Sequence, residues 1–397
     1  MDAVVWKQAN SNSCDPELLA RVHAIGRESL APHAHAVDHE ARFPEEAFTA
    51  LKAAGLLGAY VPRQYGGMGL DVVELSQVCE ILGQYCASSA MVFAMHQIQV
   101  ACLVHHATRS TFFAGFLRDL VEQQLLLASA TTEVGVGGDL RSSICALEVE
   151  GARFRVTKQA PVVSYALAAD AVLLTCRAGP DAPRSEQRHV LLRRGDYRLE
   201  PMCGWDTMGF RGTCSAGFTV HGEAAVEQIL PVPYAEIHAK TMHPFAHLTW
   251  GSLWAGMGVD ALARARTAVR AQARKTPDQI PIAATRLAEA DLILFSMRAG
   301  LARVAVEYRD MLPDADLDDY KTFGFNIRVN NVKLTSSQQL VDVVSRAMLI
   351  VGIESYRNDS RLSLCRHLRD AYGAMLMVNN DRVLGLNAGM HIVQKDG

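Results

Sequence analysis

Apolar and polar positions along this chain follow two different periods. From Asp15 to about Gln123, apolar residues recur every three or four positions, the spacing of one helical face. Asp15, Pro16 and Glu17 read as an N-cap, a first-turn proline and an acidic first turn. Leu18, Leu19, Val22 and Ile25 then share a face. Pro44-Glu45-Glu46 opens a second helix through Phe48, Leu51 and Leu56. The stretch Tyr60–Leu70, with Pro62 and three glycines, breaks it. Asp71 caps a third helix carrying Val73, Leu75, Val78, Ile81 and Leu82, and Met91–His106 and Thr111–Gln123 continue the pattern.

After about Leu126 the period shortens. Ala146–Val156 is two alternating runs about Glu150-Gly151-Ala152, a hairpin signal. Asp170–Arg177, His189–Arg194 and Gly217–His221 are further strand candidates, separated by turn-rich spacers such as Gly179–Pro183. Strand signals stop near Pro233. Four long helical segments follow: Leu253–Arg274, Ile282–Met311, Asn326–Ile350 and Arg361–Leu386. They predict an up-and-down bundle. The expected fold is mainly α with a β domain. A helical domain covers residues 1–126, a small antiparallel, barrel-like β domain 127–235, and a C-terminal four-helix bundle 236–397.

Composition narrows the function classes. Of 397 residues, 49% are hydrophobic and 20% charged, which is ordinary for a globular chain. The net charge of −3 gives no basic excess for nucleic acid or an anionic membrane surface. Nine cysteines form no CxxC pair, so neither a zinc knuckle nor a disulfide framework is expected. Dispersed thiols suit a reducing cytoplasm. Met1–Asn12 is polar and lacks the apolar core of a signal peptide. Met91–Val104 is interrupted by His96 and two glutamines, too short and too polar to span a bilayer. His33, His35 and His39 cluster without the paired spacing of a metal site.

The candidate chemistry begins where helix gives way to the β domain. Thr131, Thr132, Gly135, Gly137 and Gly138 stand there, and glycines let backbone amides approach a ring edge or a phosphate. Taken alone, the run reads first as a plain glycine turn. It is not a dinucleotide GxGxxG, because the spacing fails and no helix opens after it.

Five stretches in order resemble the acyl-CoA dehydrogenase superfamily, and the resemblance covers nearly the whole chain. Val61–Leu70 resembles its VPxxYGGxGL loop. Thr132–Asp139 is similar to its TEPGAGSD segment, with Val134 for proline and Gly138 for serine. Met208–Thr213 resembles its xGxRGS/T loop, Arg274–Pro277 its RxxFG, and His367–Ala371 the RDA motif opening the last helix. The resemblance implies FAD. Thr131 and Thr132 would bind the flavin ring edge, and Gly137 and Gly138 the diphosphate. Pro161–Ala166 looks like the WITN turn. Val162 takes the tryptophan position and leaves more room beside the flavin, while Ser164 keeps the hydroxyl that would donate to flavin N5. Arg274 and Gly352 would reach the flavin of a neighbouring subunit, which implies a homo-oligomer, a dimer or tetramer. Met348 replaces the usual glutamine there, and Pro277 the usual aromatic residue.

One expected residue is missing. The superfamily removes an α proton from an acyl thioester with a glutamate nine residues beyond the RDA arginine. Counting nine from Arg369 reaches Val378. The alternative position falls near Ala246. Asp381 is one helical turn beyond Val378 and is the candidate displaced base, or else a surface partner of Arg382. His247 is titratable beside the alternative position, or simply a core histidine. Three functions stay open. One is dehydrogenation of an acyl thioester carried by CoA or an acyl-carrier protein, in secondary metabolism. The second is a flavin oxygenase on the same fold using O2. The third is a non-catalytic partner subunit.

Overall fold

The computed structural model describes residues 15–275, 277 and 279–394. Met1–Asn12 and Cys14 therefore lie outside the described residues. The first helices are α1 (Pro16–Ile25), α2 (Ala34–His39), α3 (Glu45–Ala53), α4 (Val72–Gly83), α5 (Ala87–His106) and α6 (Thr111–Gln123). Asp15 caps α1 by accepting the Glu17 amide, and Pro16 occupies its first turn. Asp71 and Glu74 form a reciprocal capping box on α4. By length and composition α5 would cross a membrane, yet 89% of its most apolar window is buried in the protein core.

The strands are β1 (Leu127–Ala130), β2 (Glu148–Glu150), β3 (Arg153–Ala160), β4 (Ala171–Arg177), β5 (Gln187–Arg193), β6 (Tyr197–Cys203) and β7 (Gly217–Ala225). They form two sheets, ordered β1-β4-β5 and β2-β3-β7-β6. The β2–β3 hairpin turns at Gly151, as the alternating pattern predicts. Pairing is antiparallel except between β1 and β4, which run parallel. β1 is four residues long and β6 is mostly exposed, so neither shows a clear apolar alternation.

After the short α7 (Tyr234–Ile237), the bundle comprises α8 (His243–Ala273), α9 (Ile282–Met311), α10 (Phe323–Val351), α11 (Ile353–Tyr356), α12 (Cys365–Leu376) and α13 (Asn380–Val393). The last expected helix is thus two. Met377, Val378 and Asn379 interrupt it, with Val378 at φ 45°. The two helical ends of the molecule meet through α4 and α8. A Cβ on Gly256 would strike the Glu80 carbonyl, and one on Gly83 the Leu253 carbonyl, so both positions need glycine for close approach. Arg298 of α9 adds a buried ion pair to Glu80 at 2.8 Å.

Two of the sequence motifs meet in space. Asp370 is buried and accepts the Phe210 amide at 2.6 Å. Arg369 donates to the Met208 carbonyl at 3.0 Å and pairs with Asp38 of α2. These contacts fix the Met208–Thr213 loop between the first and last helical regions. Burial pushes the Asp370 carboxyl up to about 6.

Candidate active site

A cavity of about 570 Å³ opens where the β domain meets the start of the bundle. Its rim includes Gly138, Asp139 and Arg141 from the glycine-rich segment. Its lining includes Tyr234, His238, His243 and His247, together with the apolar Phe323, Val383, Leu386 and Met390. Val378 reaches the lining from the break between α12 and α13.

The glycine-rich segment is held from beneath by buried polar groups. Glu133 accepts from the Ser143 hydroxyl at 2.6 Å and from the amides of Ile144 and Cys145 at 3.1 and 2.5 Å. Lys158 of β3, fully buried, pairs with Glu133 at 3.7 Å. Its ammonium also donates to the Thr175 carbonyl at 2.7 Å and hydroxyl at 2.8 Å, and to the Thr131 carbonyl at 3.4 Å. Burial pushes the Glu133 carboxyl up, but Ser143, Lys158 and the two amides outweigh it and hold the group below its usual range. The sequence run alone gave no sign of Lys158; a lysine at an inward position of the alternating β3 pattern was the available signal.

On that base the predicted cofactor residues take shape. The Thr132 hydroxyl donates to the Val162 carbonyl at 2.9 Å, joining the two segments expected at the ring edge. Gly135, Gly137 and Gly138 have φ of 87°, 59° and 77°, so any side chain there would be strained. The amides of Gly137 and Gly138 have no protein acceptor among the described residues. Arg382 of α13 donates to the Gly138 carbonyl and pairs with Asp139 at 3.5 Å.

Ser164 is buried and belongs to a chain of hydroxyls. The Thr213 hydroxyl donates to the Phe210 carbonyl at 2.8 Å, so its one proton is committed. Ser215 must then donate to Thr213 at 2.7 Å, and Ser164 to Ser215 at 2.8 Å. Ser164 consequently presents lone pairs rather than a proton to a further partner.

Three other predicted residues stand apart. Arg274 is exposed at the end of α8, where its Nε donates to the Arg270 carbonyl of its own helix at 3.2 Å. Gly352 is exposed at the end of α10 with φ 75°, and no atom would meet a Cβ there within 4 Å. Among the described residues, neither makes a hydrogen bond to Thr131–Gly138. Asp381 is exposed in the first turn of α13, where its amide donates to Asn379 Oδ1 at 2.9 Å. It does not line the cavity. The break at Val378 is the reason: residues on either side of it no longer share one helical face, so a count of three residues does not preserve direction. Asp381 is set aside as a base.

The groups that do surround the cavity are mostly neutral. His243 Nε2 lies 2.8 Å from Asn330 Oδ1, and His247 Nδ1 lies 3.3 Å from the Val329 carbonyl. Burial pushes His238 down to about 3, lowers His243, and holds His247 well below the usual imidazole range. Lys333 of α10 is fully buried beneath the Val378 break. It donates to Asn380 Oδ1 and, at 3.3 Å, to the Val378 carbonyl. His238, His243 and Lys333 escaped the sequence reading, because each lies within a helical stretch whose own motif is featureless.

This architecture defines a flavin oxidoreductase of the acyl-CoA dehydrogenase type. Residues 15–123 match the acyl-CoA dehydrogenase N-terminal domain and residues 244–377 the acyl-CoA dehydrogenase C-terminal domain, together well over half the chain. The chain belongs to the acyl-CoA dehydrogenase superfamily. It is 22% identical to the cyclohex-1-ene-1-carbonyl-CoA dehydrogenase of Geobacter metallireducens, over 94% of this chain and 96% of that protein. It is 32% identical to a probable acyl-CoA dehydrogenase, fadE25, of Mycobacterium leprae, but that match spans only 34% of either protein. Among solved structures, the dibenzothiophene monooxygenase TdsC of Paenibacillus, bound to FMN and indole, superposes with a TM-score of 0.84. That match has 16% identity and covers 96% of this chain and 98% of that one. The superfamily's cofactor is a flavin. The strained glycines, their free amides and the Thr132–Val162 link fit such a group.

Proposed function

We propose that this chain is a flavin-dependent oxygenase on the acyl-CoA dehydrogenase fold, using FAD. The observation that carries this reading is the acid–base content of the cavity. Desaturating an acyl thioester needs a positioned base for a weakly acidic α proton. Val378 and Ala246 stand at the two expected positions. Among the described residues, Asp139 is the sole carboxylate of the lining, and it is engaged by Arg382 and, at 3.6 Å, by Arg141. The buried imidazoles are too weakly basic to replace a carboxylate for this purpose.

The chemistry a bound flavin supplies is two-electron delivery to O2, with one oxygen atom going to the substrate and the other leaving as water. The chain's own residues bind and orient. Thr131, Thr132 and the Val162 backbone would hold the ring edge, and the Gly137 and Gly138 amides the diphosphate. Val162 brings no aromatic ring to that edge, which leaves space for a substrate. Arg274 and Gly352 would serve a neighbouring copy's flavin, Arg274 through a bidentate grip on phosphate. Exposed Leu349, Ile353, Leu376 and Ile392 on the bundle support a homo-oligomer.

A second reading, α,β-dehydrogenation of an acyl group on CoA or a carrier protein, is favoured by the end-to-end similarity to the Geobacter dehydrogenase. One experiment separates the two. The flavin-loaded protein is mixed anaerobically with CoA and carrier-protein thioesters. We expect the oxidised flavin band to persist, and oxygen uptake by the reduced protein to rise with substrate. Anaerobic bleaching by a thioester would overturn the oxygenase reading in favour of the second.

A further inference from the structure

A second cavity, of about 1080 Å³, opens between α2, the Met208–Thr213 loop, α8 and the start of α12. It shares no lining residue with the 570 Å³ cavity. Five arginines line it: Arg211, Arg264, Arg361, Arg366 and Arg369. The acids around them are already matched. Asp38 pairs with Arg369, and Asp359 is gripped by Arg357 at 2.8 and 3.1 Å. Beyond the lining, Asp206 pairs with Arg211 at 3.0 Å and Asp260 with Arg264 at 2.8 Å.

Two cations remain. Arg361 is exposed, and its side chain makes no hydrogen bond or ion pair among the described residues. Arg366 donates to the Tyr85 carbonyl at a long 3.5 Å, and its Nη1 is buried with no acceptor. A guanidinium does not shed its proton, so both charges persist. The segment that carries them is held in place: Arg264 Nη1 donates to the Arg361 and Ser363 carbonyls at 3.1 and 3.2 Å.

Helix α12 begins at the same spot, and no side chain of its N-cap residue closes it. The Cys365 amide reaches Ser363 Oγ at 3.5 Å, while the amides of Arg366 and His367 have no acceptor among the described residues. Unpaired first-turn amides are the positive end of the helix dipole. His367 contributes a further orphan. Its Nε2–H donates to Asp260 at 2.8 Å, which leaves a lone pair on a buried, unpartnered Nδ1. That lone pair suits the hydroxyl of a singly protonated phosphate. Two planar guanidinium groups and two amides are more donors than one carboxylate accepts in its plane, and the terminal oxygens of a phosphate can take them all.

We propose that this cavity binds a phosphate group, free or carried as the monoester of a small molecule, on Arg361, Arg366 and the first amides of α12. The site is independent of the reaction proposed for the other cavity.

Isothermal titration calorimetry on the flavin-loaded protein, at constant ionic strength, compares inorganic phosphate, glucose 6-phosphate, glucose and acetate. We expect saturable binding of inorganic phosphate, about tenfold or more tighter than acetate, and none of glucose. Tighter binding of glucose 6-phosphate than of inorganic phosphate would support a monoester as the source, and the reverse order free phosphate. Arg361→Gln should weaken phosphate binding roughly tenfold, the scale of one lost charged hydrogen-bonding partner, and Arg366→Gln at least as much. Arg303→Gln, at an exposed position of α9 outside the cavity, should change nothing. Absence of saturable phosphate binding by the unaltered protein, or equal affinity for acetate, overturns the proposal and needs no variant to fold. An equal loss in Arg303→Gln and Arg361→Gln would reduce the effect to diffuse charge and overturn it as well. Flavin absorbance is followed throughout, because release of flavin by phosphate would assign the cavity to the cofactor's own diphosphate instead.

Discussion

Two lysines, Lys158 beneath the glycine-rich segment and Lys333 beneath the Val378 break, are both fully buried, and they are neutralised in different ways. Lys158 has a carboxylate, Glu133, at 3.7 Å and a full set of oxygen acceptors. Lys333 has only the neutral oxygens of Asn380 and Val378. Burial lowers both ammonium groups, Lys333 to about 8. The difference teaches where the fold has been kept and where its chemistry has moved. The side that would cradle a flavin retains a complete ion-paired base. The side that would face the substrate has a buried cation beside the place of the superfamily's carboxylate, and no negative charge to match it.

Removing each lysine tests this contrast, and the largest effect belongs to Lys158. Lys158→Met leaves the Glu133 carboxylate buried without its counter-charge. It should cost about 3–5 kcal/mol of stability in denaturant titrations. A loss below about 1 kcal/mol would erase the contrast. Lys333→Met orphans no charge, and Asn380 Oδ1 keeps the Ser337 hydroxyl at 3.3 Å. Its effect should appear in the pH dependence. With Lys333 at about 8 in the folded chain against an ordinary 10.5, the unfolded chain binds more protons between those values. Stability of the unaltered protein should therefore rise relative to Lys333→Met from pH 8 to 10.5, by on the order of 2–3 kcal/mol. Parallel stability curves would show that Lys333 is not the strained cation described above.

Two smaller effects sharpen the same picture. Arg274→Ala should reduce flavin content, with affinity falling roughly tenfold for one lost charged hydrogen-bonding partner. Unchanged flavin occupancy at limiting flavin would remove the neighbouring-copy role. Asp381→Asn should leave turnover and stability unchanged within error, because the side chain is exposed and outside the cavity. Loss of turnover with intact folding would restore it as a base.

Most of the architecture was legible because it rests on local signals. The Asp71–Glu74 capping box, the Gly151 hairpin and the long 3.6-period runs each announce themselves within a few residues. β1 and β6 did not, since one is very short and the other mostly lacks a buried face. At the site, the resemblance pointed to Thr132, Val162 and the glycines, which the structure brings together. Asp381 misled because counting along a helix assumes that the helix continues, and Val378 breaks it. The histidine wall was hidden for another reason. His238, His243 and His247 converge through the π turn His238–Met242 and the start of α8, a geometry that spacing alone does not specify.

The histidine wall has an optical consequence. Trp250, half-buried on α8, lies 6.3 Å from the His247 imidazole. An indole emits according to its immediate surroundings, so a ligand that displaces His247 should change the light this side chain returns. A single Trp250→Phe exchange would show how much of the total signal originates behind that imidazole.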